Sequence, residues 1–316
     1  MTLDNIKEEI KNSQNIVILT HDVPDGDAIG SSLAMYIGLK QLGKDVDVVI
    51  PKYSKTFAFL PCTDEIKEYG RMENYDLAIA LDCGDIKRLN GFANYFEYAN
   101  CRISIDHHEA NTMFADYNYV NHTAPACAQI LITVLEALGV QITQDIGTCL
   151  LTGIITDTGG FKYQNVKPET FEFAAELLRN GVNVSDIYRK VLQTVSKEKF
   201  ELRKIATSRI ELLEEGKIAF TYITKKDEEQ TRSEDHDGIV EIGRDIEGVE
   251  ISIFLRETEE NNFKISLRSN DYVNVSDICV LFNGGGHMRA AGGTINGLPF
   301  EKAKEKIVLE CKKNLK

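Results

Sequence analysis

Apolar and polar positions follow two textures along this chain. Up to about residue 185, apolar runs of strand length recur at 16–19, 46–50, 77–81 and 103–105. Between them, stretches such as 27–42 and 126–138 repeat apolar residues at helical spacing. Strand runs alternating with helices predict an α/β domain, a mostly parallel sheet with helices on both faces, because a parallel crossover needs a connection of helix length. Two more helices are expected over 144–156 and 167–180, and Gly181 stands where a left-handed C-terminal cap belongs.

From 185 to 213 the pattern reads as one long polar helix. Its apolar residues (Ile187, Val191, Leu192, Val195, Leu202, Ile205) form only a narrow stripe, as on a helix bridging two domains. Beyond it the texture becomes strand-like at 217–224, 249–256 and 262–268. An acidic stretch at 225–237, expected to be exposed, separates the first two, and a glycine-rich turn is expected near 284. The expected organisation is therefore a first domain over 1–184, a linker helix over 185–213, and a smaller α+β domain over 214–316.

The ends of the apolar runs carry the chemistry. Run 16–19 leads into His21, Asp22, Asp25 and Asp27; run 77–81 into Asp82 and Asp85; run 103–105 into Asp106, His107 and His108; and helix 144–156 into Asp157. Strand exits are where open α/β sheets place their ligands. Carboxylates gathered in one turn are costly unless something cationic neutralises them, so the first expectation is a metal site. Each cluster alone has a plainer reading. Asp27 suits a helix N-cap, Asp157 a turn beside glycines, Asp82 and Asp85 a loop start, and a histidine pair a strand end. Four of the six histidines, at 21, 107, 108 and 287, nevertheless fall in such clusters, which favours a shared purpose.

Composition narrows the classes. The 316 residues, 43% apolar and 27% charged, suit an ordinary globular chain of two domains. A net charge of −13 argues against a partner such as long duplex nucleic acid, but permits a short phosphorylated substrate. No apolar run is long enough for a membrane span or signal peptide, so a cytoplasmic protein is expected, with no membrane partner. The seven scattered cysteines contain no C-x-x-C pair and read as small structural residues.

The set His21, Asp25, Asp27, Asp82, Asp106-His107-His108 and Asp157 resembles the DHH phosphoesterase superfamily. The run Gly284-Gly285-Gly286-His287-Met288-Arg289-Ala290-Ala291-Gly292 resembles the signature of the DHHA1 domain that follows it in many members. At this length the chain is most similar to the branch of bifunctional oligoribonucleases and 3′-phosphoadenosine 5′-phosphate (pAp) phosphatases, the nanoRNase-like proteins. The resemblance implies two Mn²⁺ ions, with Mg²⁺ an alternative. His21 and Asp25 would hold one ion, Asp27, His107 and Asp157 the other, and Asp82 would bridge them. It implies catalytic roles for His108, Asp106 and Asp82, with Asp22 and Asp106 orienting imidazoles or solvent and Asp85 a further supporting group. Substrate contacts are expected from Arg88, Arg268, Ser269, Gly285, Gly286 and His287; Arg268 offers a bidentate fork, and glycines let backbone amides approach an anion.

The activity implied is hydrolysis of very short RNA to 5′-mononucleotides and of pAp to AMP, by attack of metal-activated hydroxide on phosphorus. Alternatives are a linear or cyclic dinucleotide phosphodiesterase and a RecJ-like single-strand exonuclease, the latter disfavoured by the absence of an obvious extra nucleic-acid-binding domain. A pyrophosphatase is disfavoured by the DHHA1-type motif. A catalytically silent nucleotide-binding protein is disfavoured because every expected ligand is present. Whether the chain is a monomer or homodimer stays open. One departure stands out: Gly160 lies where relatives often carry arginine.

Overall fold

A computed structural model of the protein describes residues 3–50, 52–71 and 75–316. The chain divides into two compact units after Thr194. The first runs α1 (Leu3–Asn12), β1 (Asn15–Leu19), α2 (Gly26–Gln41), β2 (Asp45–Val49), β3 (Ile66–Lys67), β4 (Leu77–Leu81), α3 (Ala93–Glu97), β5 (Cys101–Asp106), β6 (Tyr117–Val120), α4 (Cys127–Ala137), α5 (Gln144–Asp157), α6 (Pro168–Arg179) and α7 (Val184–Tyr188). Its six strands are all parallel, in the order β3-β2-β1-β4-β5-β6.

Strand alternation explains why this sheet is covered twice. Ile16, Ile18, Leu77, Ile79 and Leu81 face the larger core with α2, α4 and α5. Val17, Leu19, Ala78 and Ala80 face a second core with Phe96 of α3. The strand order reverses between β1 and β4, so their carboxyl ends open onto a crevice, the place where such sheets bind ligands. Gly30 of α2 lets that helix lie close to α5, since a Cβ there would come within 2.4 Å of the Cys149 carbonyl oxygen.

The second unit contains α8 (Lys197–Ser208), β7 (Glu211–Leu213), β8 (Ile218–Ile223), α9 (Lys225–Thr231), α10 (Ile239–Arg244), β9 (Ile251–Glu259), β10 (Asn262–Ser269), α11 (Val275–Val280), β11 (Gly285–His287), β12 (Ala290–Asn296) and α12 (Phe300–Lys312). The order is β11-β12-β10-β9-β8-β7, with β8 and β9 parallel and the other pairs antiparallel. One sheet face packs on α11 and α12 through Ile253, Leu255, Ile265, Leu267, Ile278 and Ile307. The opposite face meets α8 and α10 at Leu202, Ala206, Val240 and Phe254.

The two-texture reading thus matches an α/β unit followed by a smaller unit with a mixed sheet, but several details differ. The helix expected over 185–213 is broken. After α7 and a widened π-type turn at Arg189–Gln193, Thr194 turns extended, and Ser196 starts α8 by accepting the Lys199 amide. The 225–237 stretch is not wholly exposed: it contains α9, and Asp227 is buried against Arg209. The glycine-rich segment near 284 turns at 281–284, where the Gly284 amide donates to the Cys279 carbonyl, and then continues as an edge strand, β11. Gly284 and Gly286 serve close backbone approach to β12, since a Cβ on either would collide with its carbonyl oxygens. The seven cysteines are all free thiols. Among the described residues, no helix is long and apolar enough to cross a membrane.

Candidate active site

His21 lies just past β1, and the chain then turns through Asp22 and Pro24 into α2. Asp25 is the N-cap of α2: its Oδ1 accepts the amides of Asp27 (3.0 Å) and Ala28 (3.1 Å). The plainer reading of Asp27 as this cap therefore belongs to Asp25. Asp27 is wholly buried and accepts from the amides of Cys127 (2.6 Å) and Ala128 (2.9 Å) and from the Ser31 hydroxyl (3.2 Å). It satisfies the first turn of α4, whose own N-cap, Ala126, has no side chain able to do so. Gly153 of α5 makes the room, since a Cβ there would stand 2.5 Å from Asp27 Oδ1.

Asp82 leaves β4 in the left-handed region, at φ 52, an unusual backbone state for a non-glycine residue and one concentrated at functional sites. Its two carboxylate oxygens face different imidazoles: Oδ1 is 3.3 Å from His107 Nε2, and Oδ2 is 3.8 Å from His21 Nε2. His107, just past β5, also lies 3.3 Å from Asp157 Oδ2 at the end of α5 and 3.9 Å from Asp27 Oδ2. Two triads result, His21/Asp25/Asp82 and Asp27/His107/Asp157, each with donor atoms within 4.8 Å of one another, and a third grouping joins Asp82, His107 and His108. All six sequence-predicted ligands come together here.

The electrostatics describe a site short of positive charge. Burial pushes the Asp27 carboxyl up to about 8, and the nearby Asp82 charge adds to it. Burial likewise lifts Asp157 to about 9, with help from Asp27 and Asp25. For His107, burial favours the neutral ring, but the surrounding Asp82, Asp27 and Asp157 outweigh it and hold the imidazole up at about 10. His21 goes the other way, lowered by burial and by the Arg88 charge despite Asp82 and Asp25. His21 Nδ1 and Asp82 Oδ1 are buried without a hydrogen-bond partner. Four carboxylates and two imidazoles, with no thiolate and with two unpartnered buried donor atoms, fit a divalent metal ion.

His108 is organised separately. Its Nδ1 lies 2.7 Å from Oδ1 of fully buried Asp106, and Oδ2 of Asp106 accepts from Asn111 Nδ2 at 2.7 Å. The carboxylate assigns the ring proton to Nδ1 and leaves Nε2 as the nitrogen available to a ligand. The Asp106 hydrogen bond raises the His108 pKa. For Asp106 itself burial works upward, but the bonds from His108 and Asn111 win and lower it. Asn111 was not singled out from sequence. It stands in a polar loop with nothing to distinguish it from its neighbours.

The remaining predicted residues are more dispersed. Asp22 is exposed and accepts at 3.4 Å from Asn90 Nδ2, while its amide donates to the Arg88 carbonyl. Asp85 caps the short 3₁₀ segment Ile86–Phe92 through the Lys87 amide. In the second unit, Arg268 donates through Nε to Glu241 (2.9 Å) and through Nη1 to its neighbour's carbonyl. The buried Ser269 hydroxyl donates to the Val273 carbonyl. Gly285 and His287 lie on edge strand β11 with Gly286 between them, and His287 is exposed. The departure at Gly160 has a backbone cause. Gly159 and Gly160 both have positive φ, and the Tyr188 hydroxyl donates to the Gly160 carbonyl. A side chain at 160 would need a different loop.

Residues 15–154 match the DHH family, N-terminal domain, and residues 215–315 match the DHHA1 domain. The bifunctional oligoribonuclease and PAP phosphatase NrnA of Thermus thermophilus is 35% identical over 303 residues, 95% of this chain and 90% of that protein. The crystal structure of an exopolyphosphatase-related protein from Bacteroides fragilis is 30% identical with a TM-score of 0.88, covering 98% of this chain and 95% of that one. RecJ of Thermus thermophilus, solved with Mn²⁺, shares the fold alone: TM-score 0.55 at 16% identity, over 98% of this chain and 54% of that one. With both domains matched in order and the strand-end cluster assembled, the chain belongs to the DHH/DHHA1 phosphoesterases, in the branch of the bifunctional oligoribonucleases and PAP phosphatases.

Proposed function

We propose that the chain hydrolyses very short oligoribonucleotides to 5′-mononucleotides and converts pAp to AMP, with two Mn²⁺ ions as cofactor. The observation that carries this reading is a pair of neighbouring ligand triads, with Asp82 of one lying 3.3 Å from His107 of the other, in a chain 35% identical to a relative named for both activities. His21, Asp25 and Asp82 would hold one ion, and Asp27, His107 and Asp157 the other, with Asp82 shared. Such an oxygen-rich set with two imidazoles suits Mn²⁺ and tolerates Mg²⁺. Bound there, the ions would supply a water that ionises near neutral pH and positive charge for the phosphoryl oxygens.

The chain's own groups do the rest. His108, its Nδ1 proton committed to Asp106, offers Nε2 to a substrate oxygen, either to protonate the leaving group or to stabilise charge on the phosphoryl group. Arg88 and Arg268 bring guanidinium charge for phosphate oxygens. Gly285, Gly286 and His287 offer backbone and an imidazole, whereas Ser269 has already committed its hydroxyl to the Val273 carbonyl and its amide to the Arg289 carbonyl and would act by fixing the strand end beside Arg268.

A competition time course tests the reading: pAp, labelled di- and pentanucleotide RNA, cyclic di-AMP and a short polyphosphate are offered together to Mn²⁺-loaded enzyme. Consumption of pAp and of the two oligonucleotides ahead of the others is expected. Preferential hydrolysis of cyclic di-AMP or polyphosphate would overturn it.

A further inference from the structure

The loop that follows Asp157 has a strained backbone. Gly159, Gly160 and Phe161 take positive φ in succession, at 56, 72 and 63. Glycine enters that region freely, but a bulky residue there is an outlier of the kind that gathers at ligand clamps. Two contacts hold Phe161 in place. Its amide donates to the Thr158 hydroxyl at 3.0 Å, and its ring stacks on Phe171 of α6 with centroids 5.1 Å apart. The chain then doubles back, and the amides of Lys162 and Tyr163 both donate to the Thr158 carbonyl. Asn165 closes the loop, donating through Nδ2 to the carbonyls of Asp157 (3.1 Å) and Pro125 (3.4 Å). Both ends of the loop are thus tied to a residue of the candidate metal site.

This turn places one ring. A Cβ on Gly159 would stand 2.4–2.8 Å from Cζ, Cε1 and Cε2 of Tyr163. Those carbons, rather than the hydroxyl, are the nearest atoms, so the glycine lies against the face of the ring and not its edge. Tyr163 is nevertheless 57% exposed, which leaves the opposite face open to solvent. Its hydroxyl has no hydrogen-bond partner among the described residues. An exposed tyrosine alone needs no explanation. This one rests on a residue two positions from Asp157, no more than about 7 Å along the backbone, and three left-handed residues hold it there. Lys162, its neighbour in sequence, is exposed and has no ion-pair partner among the described residues. A flat π face and a free cation together suit an anion with an aromatic body.

We infer that the open face of Tyr163 is the surface on which the substrate's nucleobase stacks while its phosphate lies at the Asp27/His107/Asp157 triad. The inference rests on the pAp and short-RNA reading above and deepens it, by giving the base of the reacting nucleotide a place. Every base has a π face, so such a contact tolerates any base and discriminates only against substrates that have none.

Three variants of the full-length protein test it. Tyr163→Leu covers Gly159 with an apolar side chain but has no π face, and Tyr163→Phe keeps the face without the hydroxyl. The chain contains no tryptophan, so Tyr163→Trp sets a single fluorescent reporter at the site. In Mg²⁺, AMP should quench that tryptophan saturably, and ribose 5-phosphate should not. With Mn²⁺, Tyr163→Leu should raise KM for pAp about 10-fold, within the range of base–aromatic stacking, while kcat holds. Its kcat/KM for ribose 3,5-bisphosphate, the base-free counterpart of pAp, should match wild type, and Tyr163→Phe should restore KM for pAp. An equal loss on both substrates overturns the inference, because it marks a ring that only supports the loop. So does a tryptophan that AMP leaves unquenched. Wild-type enzyme that turns over neither pAp nor short RNA overturns the functional reading, and the AMP quench then decides the stacking face by itself.

Discussion

Asp47 and Asp27 are both fully buried carboxylates of the parallel-sheet unit, yet their surroundings are opposite. Asp47, in β2, receives Lys67 Nζ at 2.6 Å, the Tyr75 hydroxyl at 2.6 Å and Arg71 Nε at 2.9 Å. Burial alone would raise its pKa, but these partners lower it. Asp27 receives amides and a serine hydroxyl, has Asp82 and Asp25 among its charged neighbours, and is pushed up. The protein completes the first carboxylate from its own side chains and leaves the second in deficit. Burial therefore does not mark a functional acid; a buried acid whose countercharge the fold withholds does.

The strongest way to break this comparison is Asp82→Ala. Removing the carboxylate that completes the His21/Asp25 triad and lies 3.3 Å from His107 of the other should cut Mn²⁺-dependent turnover of pAp by ~10³-fold or more. In metal-free enzyme, thermal unfolding should be unharmed, because a like-charge neighbour of Asp27 and Asp157 has gone. Near-wild-type turnover would break the shared-ligand reading.

Next in size is metal stabilisation. Mn²⁺ at a hundred times its Kd should stabilise the wild type by ~2.7 kcal/mol in calorimetry and Asp82→Ala by far less. Equal shifts in both would place the ions elsewhere.

Asp47→Asn probes the opposite case. It should cost about 2 kcal/mol in urea unfolding while kcat holds. The pH dependence has a definite sign. Asp47 is lowered in the folded state, so its contribution is fully present above the ordinary aspartate range and is lost as pH falls through the folded value. Wild type should lose stability relative to Asp47→Asn on acidification below about pH 4, and parallel stability curves would refute the assignment. The smallest effect expected is Asp106→Asn, which should lower kcat about 10-fold with little change in KM, since it disturbs the orientation of His108 rather than a binding contact. A change confined to KM would argue that His108 only binds.

Much of this was legible because the signals are local. The strands at 16–19, 77–81 and 103–105 are continuous apolar runs, and each delivers its ligands within a few residues of its end. β6 was not legible: Tyr117–Val120 lies at the sheet edge, half-buried throughout, with no apolar run. The break before α8 had a local sign, a serine placed to cap Lys199, but the apolar stripe continued across it and outweighed that sign. α9 likewise had a capping box, Thr224 with Asp227, hidden in a stretch whose charge suggested exposure. Within the site, residue types were readable and their second jobs were not. That Asp27 holds the start of a helix 100 residues away is a fact of packing, with no trace in its neighbours.

Gly153 and Asp157 are four residues apart on α5, so they share one face of that helix. The first leaves a gap that fits one carboxylate, and the second contributes another. Any slip or rotation of α5 would close the gap and withdraw the carboxylate in a single motion, so the helix works as a gauge that keeps both at one setting. A mutation far along α5 that shifts its axis by a fraction of an ångström should therefore disable both positions together, without touching either residue.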